Sequence, residues 1–283
     1  MTLSILNLLG SFPYAIMTGI VIAIVCAWLG VFVILKRVVF IGITLSETAA
    51  CGIAGALVLH VPPFAGAITL TLLAVGLLAL PFESRRIPRD AVLGVLFVAT
   101  SSLSVLLVSG SGHGLQEVKA LLYGDLILTT PKDFFVVCAT LIPALIYLAL
   151  FGRPTLYAFL DREAATVLGI KPGRWELLFF IVLGLVVAAA SKVAGALLVF
   201  CYLIAPAACA LLLAKRLWVV LTLACFIAVL ATISGLCLSF AVDWPTNQTL
   251  CLVACGLLAL AGGGATLRSF LGRRSSCPYR RDT

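Results

Sequence analysis

Long apolar runs separated by short polar segments make up nearly the whole chain. An apolar run of roughly 17 to 22 residues, as a helix, crosses a hydrocarbon core about 30 Å thick. The pattern predicts an all-α polytopic membrane protein with nine transmembrane helices. These lie at about residues 14–35, 43–60, 64–80, 91–109, 133–151, 175–190, 193–214, 217–240 and 248–267.

The division within residues 175–214 rests on length, because this apolar run is interrupted only at Ser191 and Lys192. As one helix it would be about 60 Å long, roughly twice the membrane thickness. The sequence therefore predicts two spans joined by a tight turn at Ser191–Lys192.

Charge supports the membrane class and predicts an orientation. Only 11% of the residues are charged, against about 25% in soluble domains, so we expect one membrane domain over residues 1–283. With the N-terminus outside, 16 of the 19 Lys and Arg residues fall on the inner side, which predicts an outer N-terminus and an inner C-terminus. The basic tail 268–283 then faces anionic lipid headgroups rather than nucleic acid.

The N-terminal stretch MTLSILNLLGSF has neither a basic region nor a small-residue cleavage site, so it does not resemble a signal peptide. We expect it to lead along the membrane surface into the first span.

Nine of the ten cysteines fall in predicted spans, where small residues serve helix packing. The tenth, Cys277, lies in the tail, so no cysteine is predicted in an outer loop. Cys251 and Cys255 are four residues apart, on one helix face, and leave a soft-metal pair open.

The inner loop at about residues 152–174 contains LYAFLDREAATVLG between Pro154 and Pro172. Its apolar spacing predicts a short amphipathic helix that ends at Gly169. Such a helix could lie on the lipid surface or dock a cytoplasmic partner.

Beyond the first two residues of a span, Glu47 is the only acid that we place inside one. A lipid-facing carboxylate at this depth would cost on the order of a few kcal/mol, so Glu47 should face the bundle interior or water. Thr44 and Ser46 add oxygen atoms close by in the sequence. The stretch predicts either a transit site for a divalent cation or a protonated carboxyl that hydrogen-bonds a neighbouring helix.

Motifs for catalysis are lacking. The sequence has no G-x-x-x-x-G-K-[ST], no H-E-x-x-H and no G-x-S-x-G, and it has only two histidines. This favours a conduit over an enzyme, although a membrane enzyme that uses Glu47 as an acid or base is the alternative.

Four stretches in order resemble the permease subunit of ABC importers for zinc, manganese and iron ions. They are GVFVILKRVVFIGITLSETAACGIAGA, LLYGDLIL, DREAATVLGI and VAGALLVFCYLIAPAACALLLAKR. The resemblance implies a cell-membrane protein that binds no cofactor and carries a divalent metal as its substrate. It also implies a second permease protomer (this chain or a homologue), an extracytoplasmic metal-binding protein and a separate cytoplasmic ATP-binding subunit that holds the ATP. A permease for a metal chelate or a vitamin is the alternative among transporters.

Individual roles follow from the same resemblance. Residues at the second-span motif and the central helix are expected at the pathway, and those of the inner segment at the ATPase. The pathway set is Gly42, Gly195, Pro206 and Ala207, and the coupling set is Asp161, Glu163, Ala165, Leu168 and Gly169. The chain departs from the family at Ile43, where the family has Asp, and at Glu47, where it has His.

Overall fold

A computed structural model describes residues 13–79, 89–110, 124, 126–160, 162–169 and 171–274. Every regular element among these residues is helical, which confirms the all-α class. The helices are α1 Pro13–Leu35, α2 Phe40–Val58, α3 Pro63–Ala79, α4 Arg89–Gly110, α5 Pro131–Leu160, α6 Arg162–Val167, α7 Pro172–Leu213, α8 Leu217–Val242 and α9 Thr246–Arg274, with a single 3-10 turn at Leu126–Leu128.

Seven of these helices are long and apolar enough to cross a membrane, and α3 is a shorter apolar helix. The length and composition confirm a multi-pass membrane protein. The number of nine crossings and the orientation of the termini stay predictions.

Two ion pairs mark opposite ends of the bundle. Lys36, just after α1, pairs with Glu176 near the start of α7 at 3.0 Å, and we name this the Lys36 end. Asp133, at the start of α5, pairs with Lys192 of α7 at 2.7 Å, and we name this the Asp133 end. Helix α7 therefore runs from the Lys36 end to the Asp133 end within about 16 residues.

The chain then turns back at Gly195, which has φ 75° and ψ 157° inside α7. By Leu203 it packs directly on Gly30, two residues from Phe32, whose ring contacts Phe179 in the first part of α7. Helix α7 thus consists of two legs, 172–194 and 196–213. The prediction of a turn at Ser191–Lys192 is wrong by a few residues, because only glycine adopts this conformation without strain.

Helix α5 corrects another boundary. It continues past the predicted end at 151 and through Pro154 to Leu160, so Pro154 does not open the short inner helix. The Thr155 hydroxyl, next to Pro154, donates to the Phe151 carbonyl at 2.7 Å within the same helix. The short helix is only α6, Arg162–Val167.

Small residues bring the central helices together. Gly52 of α2 lies against the backbone of Gly66 in α3, and Gly30 of α1 lies against the Leu203 carbonyl, so a Cβ at either glycine would overlap its neighbour. Helices α1, α2 and α7 form the centre of the bundle. Helices α4, α5 and α9 lie at its periphery, and only 17% of the apolar window of α4 is buried.

Candidate functional site between α2 and α4

Glu47 lies seven residues into α2 and is only 5% exposed. Ser101 of α4 lies opposite its carboxyl group. Neither α2 nor α4 has a Lys or Arg within nine residues of these two positions. The carboxyl is therefore held away from lipid, as the cost of burying a charge requires, and it faces a hydroxyl residue rather than a cation of these two helices.

Thr44 lies one turn before Glu47 on the face of α2 that meets α4. Its hydroxyl donates to the Phe40 carbonyl at 2.9 Å and lies 3.3 Å from the Leu93 carbonyl of α4. The Thr48 hydroxyl similarly donates to the Thr44 carbonyl at 2.7 Å. Both hydroxyls donate their hydrogen bond to a backbone carbonyl, so their oxygen lone pairs remain available to accept a hydrogen bond or bind a cation.

Ser46 does not belong to this group. It is fully buried, and its hydroxyl has no hydrogen-bond partner among the described residues. Ser46 lies one turn after Gly42, which packs on Leu203 and Phe200 of α7. The structure thus brings Glu47 and Thr44 together facing α4 and places Gly42 and Ser46 facing α7.

Sequence reasoning missed the partners on α4. Thr100, Ser101 and Ser104 are polar positions in an otherwise apolar stretch, at a spacing that puts them on one helix face. Ser104 lies opposite Cys51, which is one turn beyond Glu47 on α2. The cluster TSSLS was the available signal, since hydroxyls gathered on one face of a membrane helix indicate a polar neighbour.

The other predicted pathway residues lie along the second leg of α7. Gly195 is at the Asp133 end, where the Asn247 side-chain amide donates to the Ala194 carbonyl at 2.9 Å. Pro206 and Ala207 are buried further along the same leg, towards the Lys36 end. These residues therefore line one helix rather than surrounding Glu47.

The predicted coupling segment forms a protruding tip. Asp161 lies outside the described residues. Ala165 is fully buried and Glu163 is exposed, while Val167 and Leu168 are 89% and 65% exposed. Gly169, at φ 77°, ends the tip with its N–H donated to the Thr166 carbonyl at 3.0 Å. The exposed apolar pair suits either lipid or a protein partner.

Aromatic contacts connect the tip to the bundle. Phe159, at the end of α5, meets Phe179 of α7 edge to face at 5.0 Å. The Lys36 ammonium lies 4.3 Å from the centre of the Phe159 ring and 4.7 Å from that of Phe180. The two helices that carry the coupling tip thus converge on the turn between α1 and α2.

Comparison with known proteins agrees with this architecture. Residues 11–262 match the model of the ABC 3 transport family. The chain belongs to this family. The resemblance seen in the motifs is confirmed.

Relatives within the curated proteins differ in the metal they are named for. The chain is 30% identical over 250 residues to a manganese transport system membrane protein, MntC, of Halalkalibacterium halodurans, covering 87% of this chain and 85% of the relative. It is 30% identical over 251 residues to the high-affinity zinc uptake system membrane protein ZnuB of Haemophilus influenzae, covering 88% and 95%. It is 30% identical over 236 residues to the chelated iron transport system membrane protein YfeC of Yersinia pestis, covering 83% and 80%.

The fold is also shared with a solved structure, PsaBC from Streptococcus pneumoniae in complex with Fab. The TM-score is 0.82 at 23% identity, over 92% of this chain and 95% of the other. The ABC permease fold is therefore established.

Proposed function

We propose that the chain is the membrane-spanning permease subunit of an ATP-driven importer of divalent transition-metal ions: zinc, manganese or iron. The observation that carries the proposal is a buried carboxyl, Glu47, on the helix that resembles the family's metal motif, inside a chain that belongs to the ABC 3 transport family. The relatives are named as membrane proteins of manganese, zinc and chelated iron transport systems, which supports this substrate class.

Glu47 is the cation ligand in this proposal. Its carboxyl with the Thr44, Thr48 and Ser101 oxygens makes a singly negative, oxygen-rich contact between α2 and α4. Such a site holds a divalent cation weakly enough to release it.

The proposed import function also requires partner proteins. ATP binds on a separate cytoplasmic subunit, which docks on α6 and the Leu168–Gly169 tip. An extracytoplasmic metal-binding protein delivers the ion at the opposite end, and a second permease protomer completes the path. This chain carries no resident cofactor and catalyses no reaction itself. The exposed Val167 and Leu168 side chains beside basic Lys171 support a protein-docking tip.

The test is purification of the tagged chain with its partners, followed by uptake of radioactive metal. The native complex should contain an ATPase and import at least one of zinc, manganese and iron. Glu47→Gln should assemble and keep the ATPase but lose uptake, because a neutral amide replaces a carboxylate ligand. Asp90→Asn removes an exposed acid at the start of α4 and serves as the matched control. A chain that purifies without an ATPase, or full uptake by Glu47→Gln, contradicts the proposal.

A further inference from the structure

Cys51 shares the face of α2 that carries Glu47. The two residues are four apart, so their side chains lie one above the other about 6 Å along the helix. Cys51 is 1% exposed and Glu47 is 5% exposed, so both side chains are buried on this face. A thiol and a carboxyl are thus neighbours inside the membrane domain.

Helix α4 faces this pair with a hydroxyl at each level. The Thr44 hydroxyl lies 3.3 Å from the Leu93 carbonyl of α4, and further along this interface Ser101 lies opposite Glu47 and Ser104 opposite Cys51. Gly55, one turn beyond Cys51, lies against Leu107, which continues the same register. Helices α2 and α4 therefore run side by side in the same direction, and the polar groups between them end at an apolar contact.

Glu47 and Cys51 are two potential metal ligands at i, i+4 spacing on α2. Ile43, one turn before Glu47, has no ligand atom, so the pair lies on the part of α2 that is closer to the Asp133 end. The second ligand on α2 is therefore a sulfur atom.

A sulfur ligand distinguishes zinc from manganese, two of the metals for which the relatives are named. Thiolate ligands favour soft and borderline ions such as Zn²⁺ and Cd²⁺, whereas oxygen-only sites suit Mn²⁺, and zinc also lies above manganese in intrinsic affinity. A Zn²⁺ ion bound by the Cys51 sulfur displaces the thiol proton to water, and the proton returns when the ion moves on.

We propose that Glu47 and Cys51, with Ser101 and Ser104 across from them, form a mixed oxygen–sulfur transit site that makes this permease selective for zinc over manganese. The inference rests on the proposed import function. It assigns the specificity to Cys51, whereas Glu47 supplies charge for any divalent cation.

The experiment measures zinc and manganese uptake by the complete transporter in parallel. Cys51→Ser keeps the approximate size of the side chain but removes the sulfur, so zinc uptake at limiting metal should fall at least about tenfold while manganese uptake is retained. Cys51→His should restore zinc uptake, because imidazole is a good zinc ligand. Cys138→Ser, a half-buried cysteine on α5, should behave as the native protein.

Cadmium gives a second readout that needs no variant. Cd²⁺ should compete with zinc in the native transporter, and its potency should drop in Cys51→Ser in proportion to the zinc uptake. Equal changes of zinc and manganese uptake in Cys51→Ser, or no competition by Cd²⁺, overturn the inference while import itself stands. A native complex that imports no metal at all instead refutes the underlying function.

Discussion

At the residue scale, a single atypical side chain pointed to the site, but its partners did not follow from the sequence. Glu47 was found because it is an acid in an apolar run. Helix α2 is buried on nearly all sides, since 78% of its apolar stretch is buried inside the protein. Its hydrophobic pattern therefore does not indicate which face meets which helix. Cys51, Ser101 and Ser104 therefore became visible only once α2 and α4 were placed side by side.

Gly195 is the residue on which the path of α7 depends. At φ 75° and ψ 157°, a Cβ is strained by about 1–3 kcal/mol, and Gly124 also packs directly on the Gly195 backbone. Gly195→Ala should therefore lower the unfolding temperature of the purified chain in a thermal unfolding experiment.

Gly76→Ala is the matched control for this change. Gly76 lies within α3, and a Cβ there meets no atom within 4 Å. Alanine at such a helical position is neutral or stabilising by up to about 1 kcal/mol. Equal unfolding temperatures for the two variants would show that the turn at Gly195 is not strained by a side chain.

At the scale of elements, the sequence predicts helix existence better than helix ends. Hydropathy indicates only where an apolar run ends, and it therefore predicts the end of the fifth span at about residue 151. Helix α5 runs on to Leu160 because its last turns pack on Lys36 and Phe179, contacts between distant residues that a local pattern cannot contain. The turn of α7 was misplaced for a related reason: Lys192 marks the contact with Asp133, not the end of the leg.

The Lys36–Glu176 pair joins the turn after α1 to the start of α7, with the two side chains only 8% and 11% exposed. Removing one partner of a buried ion pair is strongly destabilising, by about 3–5 kcal/mol. Lys36→Met should therefore destabilise the chain strongly in thermal or denaturant unfolding.

The double variant Lys36→Met, Glu176→Leu should recover much of that loss, because apolar side chains of similar volume often replace a buried ion pair without loss of stability. Lys215→Met, at the α7–α8 turn, is the control for loss of a lysine. Additive effects of the two single changes would show that the ion pair does not couple these elements.

At the scale of the molecule, the class was predictable and the packing was not. Long apolar runs with few charges dictate a membrane helix bundle, since backbone polar groups in lipid must be satisfied within each helix. Which helices occupy the centre depends on close contacts such as Gly30 with Leu203 and Gly52 with Gly66. Glycines occur throughout the chain, so their pairing cannot be read from one sequence.

The orientation of the bundle follows from combining its two ends with the distribution of basic residues. Lys36 and Glu176 mark one end, and Asn247, bonded to the Ala194 carbonyl, places the α8–α9 turn at the other. Because Lys and Arg concentrate in the segments at the Lys36 end, we predict that this end is cytoplasmic.

A cysteine-less version of the chain allows a direct measurement. Thr246, at the start of α9, is a poor labelling site because it is buried and hydrogen-bonds Ser239. Trp244 of the same turn is half exposed, and Lys171, just before α7, is exposed. Trp244→Cys should react with a membrane-impermeant thiol reagent added to intact cells, whereas Lys171→Cys should react only after the membrane is opened. Since the two positions lie at opposite ends of one bundle, the reverse labelling would invert the whole topology and would place the proposed ATPase-docking tip at the outer surface.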